Sequence, residues 1–269
     1  MTIKRTNDNK GWLYTLARII FFYICTIVAT LFSYTITENV SDRIADQLSM
    51  FLAAILTLLL VIVFTRWEKL NLNDVGIVPG KKSASRFSIG FGVGLLMAVT
   101  QAMIVLSFGH FQLKLVPEIT MAEIGLPLLL YVLAGSREEL VFRSYSLRSL
   151  SYSLTPFLAL VIMTTIFSLE HLVSGNTWQN AIIGAGTGGI LFGLAALKTK
   201  GLALPLGLHI AWNFGQWSLG FKGRPGIWEA IVEKGYESQV ENIGLTAFLF
   251  VMSLAIAGVC IVYKKEKLF

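Results

Sequence analysis

Eight apolar runs, each long enough to cross a lipid bilayer, constrain this chain more than anything else in it. A helix needs about 20 mostly apolar residues to span the hydrocarbon core. The runs fall at about 13–36, 48–66, 87–108, 122–146, 156–174, 179–197, 203–220 and 243–263. Runs of this length argue against strands, because an open sheet would leave backbone groups unpaired in lipid. Only 14% of the 269 residues are charged and the mean hydropathy is +0.68, whereas soluble domains carry about 25% charged residues. The expected fold is all-α: a polytopic membrane protein of about eight transmembrane helices, one integral membrane domain over residues 1–269. The first run follows a basic segment but spans fully and lacks a small-residue cleavage site, so it reads as a membrane span and not as a secretory signal.

Orientation follows from lysine and arginine in the short loops. With the N-terminus in the cytoplasm, the inside segments hold Lys4, Arg5, Lys10, Arg66, Lys69, Lys81, Lys82, Arg86, Arg148, Lys198, Lys200, Lys264, Lys265 and Lys267. The outside loops hold Arg43, Lys114, Lys222, Arg224 and Lys234, so the balance is fourteen to five. The expectation is a multi-pass protein of the plasma membrane with both termini cytoplasmic. The net charge of +6 then reports topology, with some attraction to anionic lipid. The expected partner from the charges is the bilayer, not nucleic acid. Cys25 and Cys260 both lie in apolar runs and read as packing residues.

Small residues recur at four-residue spacing in Gly90/Gly94, Gly184/Gly188 and Gly189/Gly193, a pattern that lets helix backbones approach closely in lipid. Gly184, Gly186 and Gly189 also spell GxGxxG, but no strand precedes them and no acidic residue follows at the required distance, so a dinucleotide site is excluded.

Polar residues inside the apolar runs carry the functional signal. A charged residue at a helix centre costs about 2.5–3.5 kcal/mol on insertion scales, so an intramembrane ionisable group marks a site by default. The fourth run holds Glu138, Glu139 and Arg143 in GSREELVFRS. Glu139 and Arg143 are four apart and share a helix face, while Glu138 points about 100° away, toward another neighbour. Environments that separate two carboxylates also separate their roles. Phe167 and His171 share a face on the fifth run, as do His209 and Asn213 on the seventh. A lone buried histidine is usually a satisfied core residue. Two on different spans, facing two glutamates, have the composition of a hydrolytic site. Glu170 reads as solvated, because the fifth run ends there; Arg137 reads as reaching the interface, with a weaker claim to the site; His110 has no assigned role. If the fourth run starts outside at 122 and the fifth inside at 156, Glu138 and His171 lie at different depths. The expected remedy is a fifth helix that starts later and continues to about Trp178.

Glu-Glu-x-x-x-Arg at 138–143, Phe-x-x-x-His at 167–171 and His-x-x-x-Asn at 209–213, in that order, resemble the CPBP (CAAX protease and bacteriocin-processing, or Abi) family of intramembrane proteases. The resemblance covers about residues 120–220, the catalytic core, and leaves the first three spans unmatched. It implies an intramembrane endopeptidase with its site in a cavity among the fourth, fifth and seventh helices, opening to the cytoplasm. Glu138 and His171 would activate water, His209 and Asn213 would stabilise the oxyanion, and Glu139 and Arg143 would support the site. The substrate would be a membrane-associated or lipidated protein or peptide. Family members are often called metalloproteases, and Glu138, His171 and His209 are the candidate zinc ligands. No HExxH is present, and a metal-free glutamate mechanism is the preferred reading. Two other classes share the composition: a catalytically silent scaffold or immunity protein of the same fold, and a transporter. The transporter's sign, matching interrupted helices in two halves, is missing.

Overall fold

The computed structural model describes residues 11–265; Lys4, Arg5, Lys10 and Lys267 of the charge pattern lie outside the described residues. Three long apolar helices come first, α1 (Trp12–Thr37), α2 (Asp42–Trp67) and α3 (Ser83–Ser107). Next, α4 (Met121–Glu139) passes through a π-helical turn (Leu140–Tyr145) directly into α5 (Ser146–Ser153). Then come α6 (Pro156–Val173), a π segment (Gln179–Ala185) that runs into α7 (Gly186–Thr199), α8 (Ala203–Ser218) and α9 (Glu237–Val262). Among the described residues, counting each uninterrupted rod once gives eight helices, the number expected from the sequence. Six are long and apolar enough to cross a membrane: α1, α2, α3, α6, the π–α7 rod and α9. Of the two that fall short, α4 carries Glu123, Arg137, Glu138 and Glu139, and α8 is only 16 residues long.

Local signals set the boundaries. Thr120 caps α4 in a capping box with Glu123, and Thr155 caps α6 with Pro156 in its first turn. The π turn breaks at Ser144 (φ −89°, ψ −109°). The carbonyls that the wider turn strands are taken by nearby hydroxyls: Ser144 donates to Leu140 and Ser146 Oγ to the Val141 carbonyl at 2.7 Å.

The helix ends sort into two faces. On the basal face Arg18 pairs with Glu68 (2.7 Å), Ser149 donates to the same carboxylate (2.7 Å), and Arg86 donates to the Thr199 carbonyl (2.8 Å). The starts of α1 and α3 and the ends of α2, α5 and α7 therefore lie together. On the distal face a two-stranded antiparallel sheet joins β1 (Phe111–Leu115), after α3, to β2 (Trp228–Val232), after α8, with Phe111 opposite Val232. The sequence reading gave no strands; these two lie in loops beyond the spans, where their free edges face no lipid core. Arg148, counted above as a loop charge, is instead 2% exposed and donates to the Ala196 carbonyl within the helix packing.

The tightest packing joins α3 to α8. A Cβ at Gly90 would overlap the Leu204 carbonyl, one at Gly94 the Leu208 carbonyl, and one at Gly207 the Phe87 carbonyl. Gly189 and Gly193 likewise sit against Thr164 and Leu160 of α6. Gly184, expected to belong to the same pattern, has nothing within 4 Å, and Gly188 meets only Phe192 of its own helix. The spacing alone did not show which face each pair occupies.

Overpacking a tight contact costs about 1–3 kcal/mol. Gly207→Ala is therefore expected to lower the thermal midpoint of the detergent-purified protein, while Gly184→Ala leaves it unchanged or slightly raised. A Gly207→Ala protein as stable as wild type would contradict the α3–α8 contact.

Candidate active site

Glu139 is fully buried, with none of its side-chain surface accessible. A carboxylate in that position needs compensating partners. Its shortest contact is His209 Nδ1 at 2.9 Å, across from α4 to α8. Arg143 Nη1 lies 3.6 Å from the same carboxylate oxygen, within ion-pair range but too long for a strong hydrogen bond. The expected Glu139–Arg143 pair is present, yet looser than four-residue spacing suggests, because the π turn begins between them. Aromatic faces complete the arginine's surroundings. Its guanidinium carbon stands 4.1 Å from the centre of the Phe167 ring, with Phe142 and Phe192 next.

His209 is oriented from two sides. Its Nδ1–H donates to Glu139, and its ring stacks on Phe192 with centroids 4.5 Å apart and planes 13° off parallel. Its Nε2 then faces Glu138, whose Oε2 is 3.5 Å away. Glu138 keeps 21% of its side chain accessible, and Oε2 has no hydrogen-bond partner. The two glutamates thus differ in exposure as their helix angles predict: Glu139 is sealed and Glu138 partly open, while Oε2 of each lacks a hydrogen-bond partner.

His171 meets Glu138 through charge interaction and not through a direct bond. Its Nδ1 lies 2.9 Å from the Phe167 carbonyl. A carbonyl only accepts, so Nδ1 carries the proton and Nε2 keeps its lone pair in the neutral ring. Phe167 therefore serves twice, its backbone fixing the His171 tautomer and its ring lying edge-on to His171 at 4.5 Å while covering Arg143. The two depths expected to separate Glu138 from His171 are reconciled differently from the expected remedy. α6 does begin at Pro156 and ends at Val173. What changes is the other partner: the α4–α5 rod runs on to Ser153, so Glu138 lies near its middle.

Asn213 sits one turn beyond His209, on the same face of α8. Its Oδ1 accepts from Lys222 Nζ at 2.9 Å. Lys222, in the loop after α8, carries no motif, and a single loop lysine gives no sequence signal. It is accessible yet ringed by protein that draws its pKa below the ordinary lysine value, and the Glu138 carboxylate partly opposes that shift.

Glu170 is not solvated, contrary to the sequence reading. Its side chain is 20% accessible and pairs with Arg137 Nη1 at 3.0 Å, while Tyr23 donates to its other oxygen at 2.7 Å. Arg137 Nε also donates to Thr30 at 3.0 Å, so this network ties α4 and α6 to α1 instead of reaching the interface. The fifth run was too short to show that α1 would cover its end.

A zinc centre takes four ligands at about 2 Å in tetrahedral geometry. Among the described residues no three His, Cys, Asp or Glu side chains are grouped to hold a metal ion. His209 and His171 each commit Nδ1 and leave Nε2 free, as metal-binding histidines also do, so it is the lack of grouping that counts against a metal here. Glu138, His171 and His209 as placed do not make a zinc ligand set.

Comparison with known families matches residues 120–215, from the cap of α4 to Gly215 on α8, to the family described as type II CAAX prenyl endopeptidase Rce1-like. This stretch is thus similar to the CAAX protease family that the three motifs resemble. Comparison with curated proteins found no match.

Removing one partner of a buried pair costs about 3–5 kcal/mol. Arg143→Ala leaves Glu139 with His209 alone, and is expected to cut folded yield and the thermal midpoint sharply. Normal yield and stability would show that Glu139 does not depend on the arginine.

Proposed function

We propose that this CAAX protease-family domain is an intramembrane endopeptidase that hydrolyses peptide bonds of a membrane-associated or lipidated protein or peptide, in a cavity among α4, α6 and α8. One observation carries the reading: a buried carboxylate oxygen without a hydrogen-bond partner on Glu138, whose side chain is 21% accessible, facing His209 Nε2 and within the field of His171.

The residues divide the chemistry between them. A water held between Glu138 Oε2 and His171 Nε2 gives a proton to Glu138 as its oxygen attacks the scissile carbonyl carbon. The carbonyl oxygen becomes the oxyanion, which Asn213 Nδ2 and His209 Nε2 face from one side of α8. With Nδ1–H committed to Glu139, His209 donates at Nε2 only while its ring carries both protons. Collapse of the intermediate breaks the C–N bond, and the proton on Glu138 passes to the leaving amine. Glu139, Arg143 and Phe167 hold the histidines in place.

The basal face is assigned to the cytoplasm of a plasma-membrane protein, with both termini there, on the charge pattern, which is thirteen to five once the buried Arg148 is left out of the fourteen. The accessible part of the site, Asn213 and Lys222, lies toward the distal face, so the entrance is placed extracytoplasmically, opposite to what the family resemblance implies. A cysteine at Ser85 is expected to be labelled only from the cytoplasm and one at Ser238 only from outside. The reverse pattern would turn the entrance to the cytoplasm.

Reconstituted in liposomes with a peptide library, the wild type is expected to cleave. Glu138→Gln should fold normally and cleave at background. Asn213→Ala should lose about 10²–10³ in kcat, the usual effect of one oxyanion donor. Full activity in folded Glu138→Gln would contradict the assignment. Elemental analysis of active protein is expected to show well under one zinc per chain; one tightly held zinc whose removal abolishes cleavage would overturn the metal-free mechanism.

A further inference from the structure

An amide side chain has two ends that differ in chemistry, and only one can serve an oxyanion. Asn213 donates through Nδ2 and accepts through Oδ1. If the amide turned over, the site would present an oxygen to a developing negative charge, which repels instead of stabilising it. Something must therefore hold the amide in one sense, and α8 itself supplies nothing for this.

An ammonium has three donors and no acceptor, so it selects the amide oxygen whichever way the group began. Lys222 Nζ stands 2.9 Å from Asn213 Oδ1. Among the described residues no acceptor takes Asn213 Nδ2. We propose that Lys222 is a positioning residue of the oxyanion site: it fixes the Asn213 amide with Oδ1 toward the loop and Nδ2 free to donate to the reacting carbonyl. This rests on the endopeptidase reading and adds a residue that none of the three motifs contains.

The loop is built to deliver that contact. It leaves α8 through bonds from Gly220 N to the Trp217 carbonyl (3.0 Å) and from Phe221 N to the Gln216 carbonyl (2.9 Å). Gly220 and Gly223 adopt φ of +75° and +71°, conformations in which a side chain would be strained. Gly226 folds back so closely on Trp217 that a Cβ there would overlap its carbonyl. Arg224, two residues beyond Lys222, lies within electrostatic range of Tyr131 on α4. The loop is thus folded back on α8, and the lysine is returned onto the helix it has just left. Glu138 also feels the Lys222 charge, so the same ammonium adds positive potential where the oxyanion forms.

The test uses the full-length protein in two arms. In the first, asparagine side-chain amides are labelled with ¹⁵N and the Asn213 signal is assigned from its loss in Asn213→Ala. Lys222→Met should shift that signal, and Lys222→Arg, which keeps the donor, should restore most of it; an unmoved signal in Lys222→Met overturns the contact. In the second arm, the peptide cleaved by wild-type protein in liposomes is the substrate. Removing a group that orients a functional side chain typically costs about 10–100-fold. Lys222→Met is expected to lower kcat by that factor with KM nearly unchanged, and to add nothing to Asn213→Ala, because it acts through that residue. A loss confined to KM, or one that multiplies with Asn213→Ala, would assign Lys222 to substrate binding and overturn the proposal. If the wild type cleaves no library peptide, the endopeptidase reading fails, and the amide signal alone decides whether Lys222 holds Asn213.

Discussion

The hydrogen bond between Glu139 and His209 is the interaction on which the rest depends. It is 2.9 Å long, it joins α4 to α8, and its carboxylate is sealed from solvent. A buried carboxylate is tolerated only with its partners in place, so the two helices are committed to one register. That register places Glu138, one residue back, against His209 Nε2, and Asn213, one turn on, beside the same space. Phe167 enters because Arg143 needs a face to lie on, and the same ring meets His171. The site is thus largely a consequence of satisfying Glu139.

Two helices that fall short of a membrane span, α4 by its charges and α8 by its length, pack among those that do not. Glycines at the α3–α8 contact let α8 approach until backbone meets backbone, and Gly189 and Gly193 do the same between α7 and α6. Lipid offers no hydrophobic drive between helices, so close packing and interhelical polar contacts must supply the association. Here the glycines supply the first and the Glu139–His209 and Arg137–Glu170 pairs the second.

Much of this was legible in the chain. The apolar runs gave eight helices because the bilayer imposes one length on all of them. Four-residue spacing put His209 with Asn213 and Phe167 with His171, and the 100° step separated an open Glu138 from a sealed Glu139. What spacing could not show is which side of a helix meets which neighbour. Hence Gly184 was expected at a contact it does not make, and Glu170 was read as solvated when Arg137 and Tyr23 cover it. The π turn escaped notice because periodicity assumes one uniform helix, and it is what loosens the Glu139–Arg143 pair. Lys222 is invisible in sequence because a loop's path is set by its glycines' conformations and not by a periodic pattern.

The central claim is that Glu139 and His209 hold each other in place across α4 and α8. A double-mutant cycle on the thermal stability of Glu139→Gln, His209→Gln and the pair measures this directly. Residues in one buried hydrogen-bonded network show coupling of about 0.5–3 kcal/mol. The account predicts coupling in that range, with the double variant far less destabilised than the sum of the singles. Additive losses would mean that the two side chains do not depend on each other, and that some other contact sets the register of the site.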